Sequence, residues 1–90
     1  MAVQIRGDSL GPSFDGWLAY YDDYRDGVTT DLIGKLCVVG LADGRVVIKT
    51  LRKGERSGRF DLFGNDERPI YDVEVRWAAP VTTLAPKTID

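Results

Sequence analysis

Lys35-Leu36-Cys37-Val38-Val39-Gly40-Leu41-Ala42-Asp43-Gly44-Arg45-Val46-Val47-Ile48-Lys49-Thr50-Leu51 is the stretch that decides the fold. Two runs rich in β-branched residues flank Asp43-Gly44, and a tight turn between strands needs residues that tolerate positive φ. The segment therefore reads as a β-hairpin with strands over 35–41 and 45–51. Working outward, residues 2–5 form a short leading strand, Gly11-Pro12-Ser13 marks a turn and residues 17–21 make the next strand. Residues 22–31 carry too few apolar side chains for a core element and read as a surface loop. Residues 60–63 follow the turn-prone residues 53–58. Val73, Val75 and Trp77 then alternate with Glu74 and Arg76, as in a strand with one buried and one wet face; Pro80 interrupts it before residues 81–84 resume pairing. Period-two alternation in short segments predicts an all-β fold, a small, highly curved, mainly antiparallel sheet of six or seven strands over residues 1–85, with a tail at 86–90.

Composition bounds the chemistry. Ninety residues make one small domain, and 43% hydrophobic content is normal globular usage. The chain has no histidine, which removes a Ser-His-Asp triad, a Cys-His dyad and any histidine metal site from these residues. Its single cysteine, Cys37, can form neither an intrachain disulfide nor a cysteine zinc site and reads as inert packing. Acidic Asp22, Asp23 and Asp26 match no EF-hand spacing, so no metal or cofactor is expected. The net charge of -2 gives no general attraction to nucleic acid or anionic membrane. The longest apolar run, over residues 36–42, is far short of the roughly 20 residues that span a bilayer, and no basic-then-apolar leader opens the chain. A cytoplasmic protein without membrane contact is expected.

Gly7-Asp8-Ser9-Leu10 invites two incompatible readings. The string is the name motif of the GDSL esterases and lipases, whose serine needs a histidine base, and the chain offers none. A serine can instead be activated by a lysine whose amine is neutral when it takes the proton, and burial among apolar groups lowers a lysine pKa toward working pH. Such a lysine belongs inside an apolar strand. Val46-Val47-Ile48-Lys49-Thr50-Leu51 has that pattern, since period two puts Lys49 on the face of Val47 and Leu51. Spacing alone leaves a plainer alternative open, with Lys49 snorkelling to water and Ser9 serving only as a turn residue.

The surroundings of both residues carry a resemblance. Residues 3–14, with Gly7-Asp8-Ser9-Leu10-Gly11-Pro12-Ser13-Phe14, closely resemble the nucleophile segment of the LexA-like repressor peptidases. Forty residues on from Ser9, Asp43-Gly44-Arg45-Val46-Val47-Ile48-Lys49-Thr50-Leu51 resembles that family's turn and lysine strand. Phe60-Asp61-Leu62-Phe63-Gly64-Asn65-Asp66, Pro69-Ile70 and Val75-Arg76-Trp77-Ala78-Ala79-Pro80-Val81 are similar to its later segments, in order. The resemblance implies the curved β-domain of the LexA and signal-peptidase type, with Ser9 as nucleophile, Lys49 as general base and backbone N–H groups of Asp8 and Ser9 at the oxyanion. It further implies a transcriptional repressor of the SOS response or of a prophage. Such a repressor cleaves its own upstream linker, is promoted by an activated recombinase filament and works as a homodimer, with the dimer contact expected over residues 73–84. DNA contact belongs to an N-terminal helix-turn-helix domain; that domain and the scissile linker do not appear in these residues. Leu10 stands where the family usually has Met, Gly16-Trp17 where it commonly has Gly-Asp, and residues 22–31 make a long loop. The alternative from another class is a catalytically silent dimerisation or sensing module of a transcription regulator. The related signal peptidases need a membrane anchor, and no such segment is present.

Arg45, Lys49, Arg52, Lys53, Arg56 and Arg59 crowd six basic residues into fifteen positions, which a solvated hairpin edge explains more simply than a phosphate-binding patch. Trp17, Tyr20, Tyr21 and Trp77 read as core and rim aromatics rather than as a base-stacking platform.

Overall fold

A computed structural model describes residues 1–7, 10–64 and 68–86 of the chain. Eight strands run in chain order: β1 (Ala2–Gln4), β2 (Leu18–Tyr21), β3 (Arg25–Asp26), β4 (Leu36–Leu41), β5 (Val46–Lys53), β6 (Phe60–Phe63), β7 (Ile70–Val73) and β8 (Val75–Ala85). Single 3-10 turns occupy Pro12–Phe14 and Thr30–Leu32. All pairings are antiparallel, in the order β1-β2-β8-β4-β5-β6-β7, with β3 also on β8. The fold is all-β, as the alternation predicts.

The hairpin forms as read. Leu36 pairs with Thr50, Cys37 with Lys49, and so on to Gly40 with Val46. Gly44 takes a φ of +93°, and its N–H donates to the Leu41 carbonyl at 3.0 Å, while the Asp43 carboxylate accepts the Arg45 N–H at 3.0 Å. Both faces of the sheet are covered. One core gathers Leu32, Cys37, Val39, Leu51, Leu62 and Ala78; the other gathers Ile5, Ala19, Tyr21, Val38, Ile48 and Ala79. Because β4 lies between the two cores, all of its residues from Cys37 to Leu41 are buried, which is why it reads as a continuous apolar run.

Three expectations are corrected. Residues 22–31 are not loop throughout. Arg25 and Asp26 pair with Ala78 and Trp77 of β8, so β2 and β3 are one strand broken by a bend over 22–24, and the following 3-10 turn drives Leu32 into the first core with no exposed surface. Arg25 braces this segment through ion pairs to Asp23 at 2.6 Å and Asp31 at 2.5 Å. Pro80 does not interrupt its strand. It makes the last pair with β4, opposite Cys37, and on the other edge falls between the Ala78–Arg25 and Val81–Tyr21 pairs, where no ladder bond asks for its missing N–H. Finally, Val73 and Val75 belong to different strands. Asp72 adopts a φ of +59°, and the β6–β7 register slips between Phe60 and Leu62. This bulge turns the chain within a sequence whose alternation carries on unbroken. Its N–H donates to the Asp61 carboxylate at 2.9 Å, its own carboxylate is held by Arg56, and its carbonyl accepts from Arg59 at 3.2 Å.

Candidate functional site

Lys49 is the buried charged residue among the described residues, with 3% of its surface exposed. Strand register explains this. Ile48 faces the second core, so Lys49 turns to the first, level with Val47 and Leu51 along β5 and opposite Cys37 across the hairpin. Cys37 has no exposed surface, and burial pushes its thiol up to about 11, against the smaller opposing influence of Lys35 and Arg25. The thiol is therefore neutral at physiological pH, and the side chain opposite Lys49 is uncharged.

The strand beside Lys49 is covered unevenly. β6 pairs with β5 only over Thr50, Leu51, Arg52 and Lys53. The outer edge of β5 over residues 46–49 has no strand partner among the described residues and opens on a groove of about 500 Å³ whose opposite wall is Val3, Gln4 and Arg6. An unpaired backbone edge beside a cleft can accept an extended peptide by strand addition. Lys49 sits where covered edge gives way to open edge.

The segment that leads to the candidate serine is anchored from both sides. Ile5 donates its N–H to Trp17 O and accepts from Gly16 N–H, both at 2.8 Å, which carries the β1–β2 pairing past Gln4. Gly7 N–H donates to the Asp15 carboxylate at 3.0 Å. On the far side Leu10 packs with Phe14 and Trp17 on the second core, the two aromatic rings meeting edge to face at 4.8 Å. Asp8 and Ser9, the expected oxyanion and nucleophile residues, lie outside the described residues. Asp15 is a positioning group that the sequence reading missed; as one turn residue before Gly16, it has no pattern of its own.

A larger groove, about 970 Å³, lies on the other side of the β5–β6 pairing, between Leu10, Leu36, Phe63 and Leu84, with Arg52 and Lys53 at its rim. The basic stretch predicted as a solvated edge is divided by the fold. Arg45 pairs with Asp43 and Arg56 with Asp72, while Lys49 is buried. Among the aromatics, Tyr21 is buried and Tyr20 exposed, and Trp77 stacks on Tyr21 and Tyr24 at ring distances of 6.0 and 5.0 Å.

β8 is flanked by β4 over residues 75–80, but over residues 81–85 its strand partner among the described residues is β2 alone, so the edge away from β2 is open there. Of the stretch expected to carry a dimer contact, residues 81–84 have an open backbone edge among the described residues, as does Val73, which lies on the end strand β7. No helix among the described residues is long and apolar enough to cross a membrane. A scan against protein-family models, a search of curated proteins and a search of solved structures each found no match to this chain. Fold and site together define a small antiparallel β-domain with one buried lysine beside an open strand edge.

Proposed function

We propose that this chain is the peptidase domain of a LexA-like transcriptional repressor, acting in the cytoplasm on its own upstream linker through Ser9 and Lys49. The observation that carries the reading is the burial of Lys49 on an apolar strand face, at the end of a strand edge that opens, among the described residues, on a groove walled by Val3, Gln4 and Arg6. The sequence resemblance of residues 3–14 and 43–51 to that family supports the same assignment.

In this mechanism the linker lies extended along the open edge of β5. Lys49, as the free amine, takes the Ser9 hydroxyl proton as Oγ bonds to the scissile carbonyl carbon, and backbone N–H groups at Asp8 and Ser9 receive the oxyanion. The C–N bond then breaks, and the leaving amine takes the proton back from Lys49. A water, deprotonated by Lys49, attacks the ester and returns Ser9 to its starting state. Homodimerisation is the second role proposed, through the free edge of β8 from Val81 to Ala85, since two such edges related by a two-fold axis can pair antiparallel.

The test is alkaline-promoted self-cleavage of the chain carrying its upstream linker. Ser9→Ala and Lys49→Ala are each expected to abolish it while the fold is retained, and cleavage by either variant at the parental rate refutes the assignment. Sedimentation as a monomer at high concentration would refute the dimer.

A further inference from the structure

The six basic residues between Arg45 and Arg59 do not share one environment, and the two that are left over point to a substrate preference. Arg45 is tied to Asp43, Arg56 to Asp72, Arg59 donates to the Asp72 carbonyl, and Lys49 is buried. Arg52 and Lys53 are exposed and make no ion pair with a carboxylate among the described residues. Asp61, opposite Arg52 in the β5–β6 register, lines the same groove, and its carboxylate accepts the Asp72 N–H. The rim thus keeps a net positive charge on a protein whose net charge is -2.

That rim borders the groove of about 970 Å³. Leu36, Thr50 and Phe63 lie side by side across β4, β5 and β6, and Leu10 and Leu84 close the groove over them. Leu10 is the residue after the proposed nucleophile, and Thr50 follows the proposed base. An extended peptide lying between Leu10 and Thr50 therefore runs through this groove. Thr50 and Arg52 are two residues apart on one strand face, a spacing of about 6.8 Å, which is also the spacing of side chains i and i+2 on one side of an extended peptide.

We infer that the groove is a specificity subsite for a peptide that seats a bulky apolar side chain between Leu10, Leu36, Phe63 and Leu84 and places an acidic side chain two residues away against Arg52 and Lys53. This rests on the reading of Ser9 and Lys49 as a peptidase pair, which supplies the reason for a peptide to lie there. The apolar contact supplies affinity. The cations discriminate, because a basic residue at the same place meets like charge next to the surface it must desolvate.

The experiment is a binding titration by fluorescence anisotropy with the 90-residue chain and dye-labelled, end-blocked peptides. The peptide Glu-Ala-Leu-Ala-Glu carries the acid on both sides of the leucine and so tests either chain direction. It is compared with Lys-Ala-Leu-Ala-Lys and Glu-Ala-Ser-Ala-Glu. The acidic leucine peptide should bind at least about fivefold more tightly than the basic one, against the protein's own net charge, and the serine peptide should lose most of the affinity. Arg52→Glu with Lys53→Glu, both exposed positions, should reverse the order of the first two, and Asp61→Asn should strengthen the acidic peptide. Equal binding of acidic and basic peptides, or an unchanged preference in the charge-reversed variant with a native circular dichroism spectrum, overturns the subsite. Cleavage is not read in this titration, so its failure leaves the Ser9 and Lys49 assignment intact. Conversely, loss of that assignment in the self-cleavage test leaves a measured charge preference standing.

Discussion

Adding a single methyl group at Gly40 should unsettle the centre of the sheet. Gly40 pairs with Trp77 across β4 and β8, and the indole lies over the glycine: a Cβ built there falls 1.9 Å from Trp77 Nε1 and 2.4 Å from both Cδ1 and Cε2. To restore ordinary contact the ring would have to retreat by about 1.5 Å. It has little room to do so, because Tyr24 and Tyr21 stack on it with interplanar angles of 25° and 26°. Overpacking of this kind costs about 1–3 kcal/mol, and a disrupted aromatic pair adds about 0.5–1.5 kcal/mol. Gly40→Ala should therefore lose about 2–4 kcal/mol. At about 4–8 °C per kcal/mol for a domain of this size, Tm should fall by roughly 10–25 °C. The assay is urea unfolding followed by circular dichroism, run as a double-mutant cycle with Trp77→Ala. Once the indole is gone, the three atoms nearest the new methyl group are gone with it, so the cycle should return a coupling energy of at least about 1.5 kcal/mol. Gly40→Ala within about 0.5 kcal/mol of the parent, or strictly additive effects in the cycle, would refute the packing reasoning.

Three further outcomes follow from local chemistry. The Asp31 carboxyl is lowered from its ordinary 3.8 to about 2, first by the hydrogen bond from Arg25 and then by that from Thr29. A depressed carboxyl contributes stability above its unfolded value and loses it as pH falls through the folded value. Thermal midpoints should thus drop between about pH 4 and pH 2, with a shallower drop in Asp31→Asn. Cys37, buried and with its thiol raised to about 11, should resist a disulfide reagent such as dithionitrobenzoate at neutral pH and react fully in denaturant. Rapid labelling of the native chain would contradict its place between the strands. At the β7 bulge, Asp72 holds a φ of +59°, so Asp72→Gly should be less destabilising than Asp72→Ala by about 1 kcal/mol in urea unfolding, since both lose the Arg56 pair but only alanine keeps the strain.

What the sequence revealed and what it hid differ in physical kind. The hairpin was legible because Asp43-Gly44 and the flanking β-branched runs act locally, within a few residues of one another. The setting of Lys49 was legible for a related reason: period two links it to Val47 and Leu51 without reference to anything distant. Strand β3 was not legible, because nothing in Arg25-Asp26 favours a strand; the exposed edge of β8 recruits it. The division at Glu74 was hidden by alternation that continues across the turn, and Pro80 was misread because only the tertiary register shows which N–H groups are needed. Arg52 and Lys53 read as part of one basic run, and only the partners of Arg45, Arg56 and Arg59 set them apart.

The shortness of β6 connects the fold to the proposed chemistry. β5 is eight residues long and β6 four, so among the described residues half of β5 is left without a strand partner on that side. An open edge is a liability in a β-protein, since unpaired N–H and C=O groups recruit other chains, and Val46 at its start is 50% exposed. Extending β6 would have covered it at little cost in sequence. Leaving it open makes sense if that edge is where an extended segment is meant to pair, and the buried lysine stands one residue before the β5–β6 ladder begins, where Thr50 meets Phe63. A base further along β5 would sit under β6, away from a strand added at the open edge. One nearer the turn would lie beside Val46, which is open to water. Lys49 is the position at which burial and access to an added strand coincide.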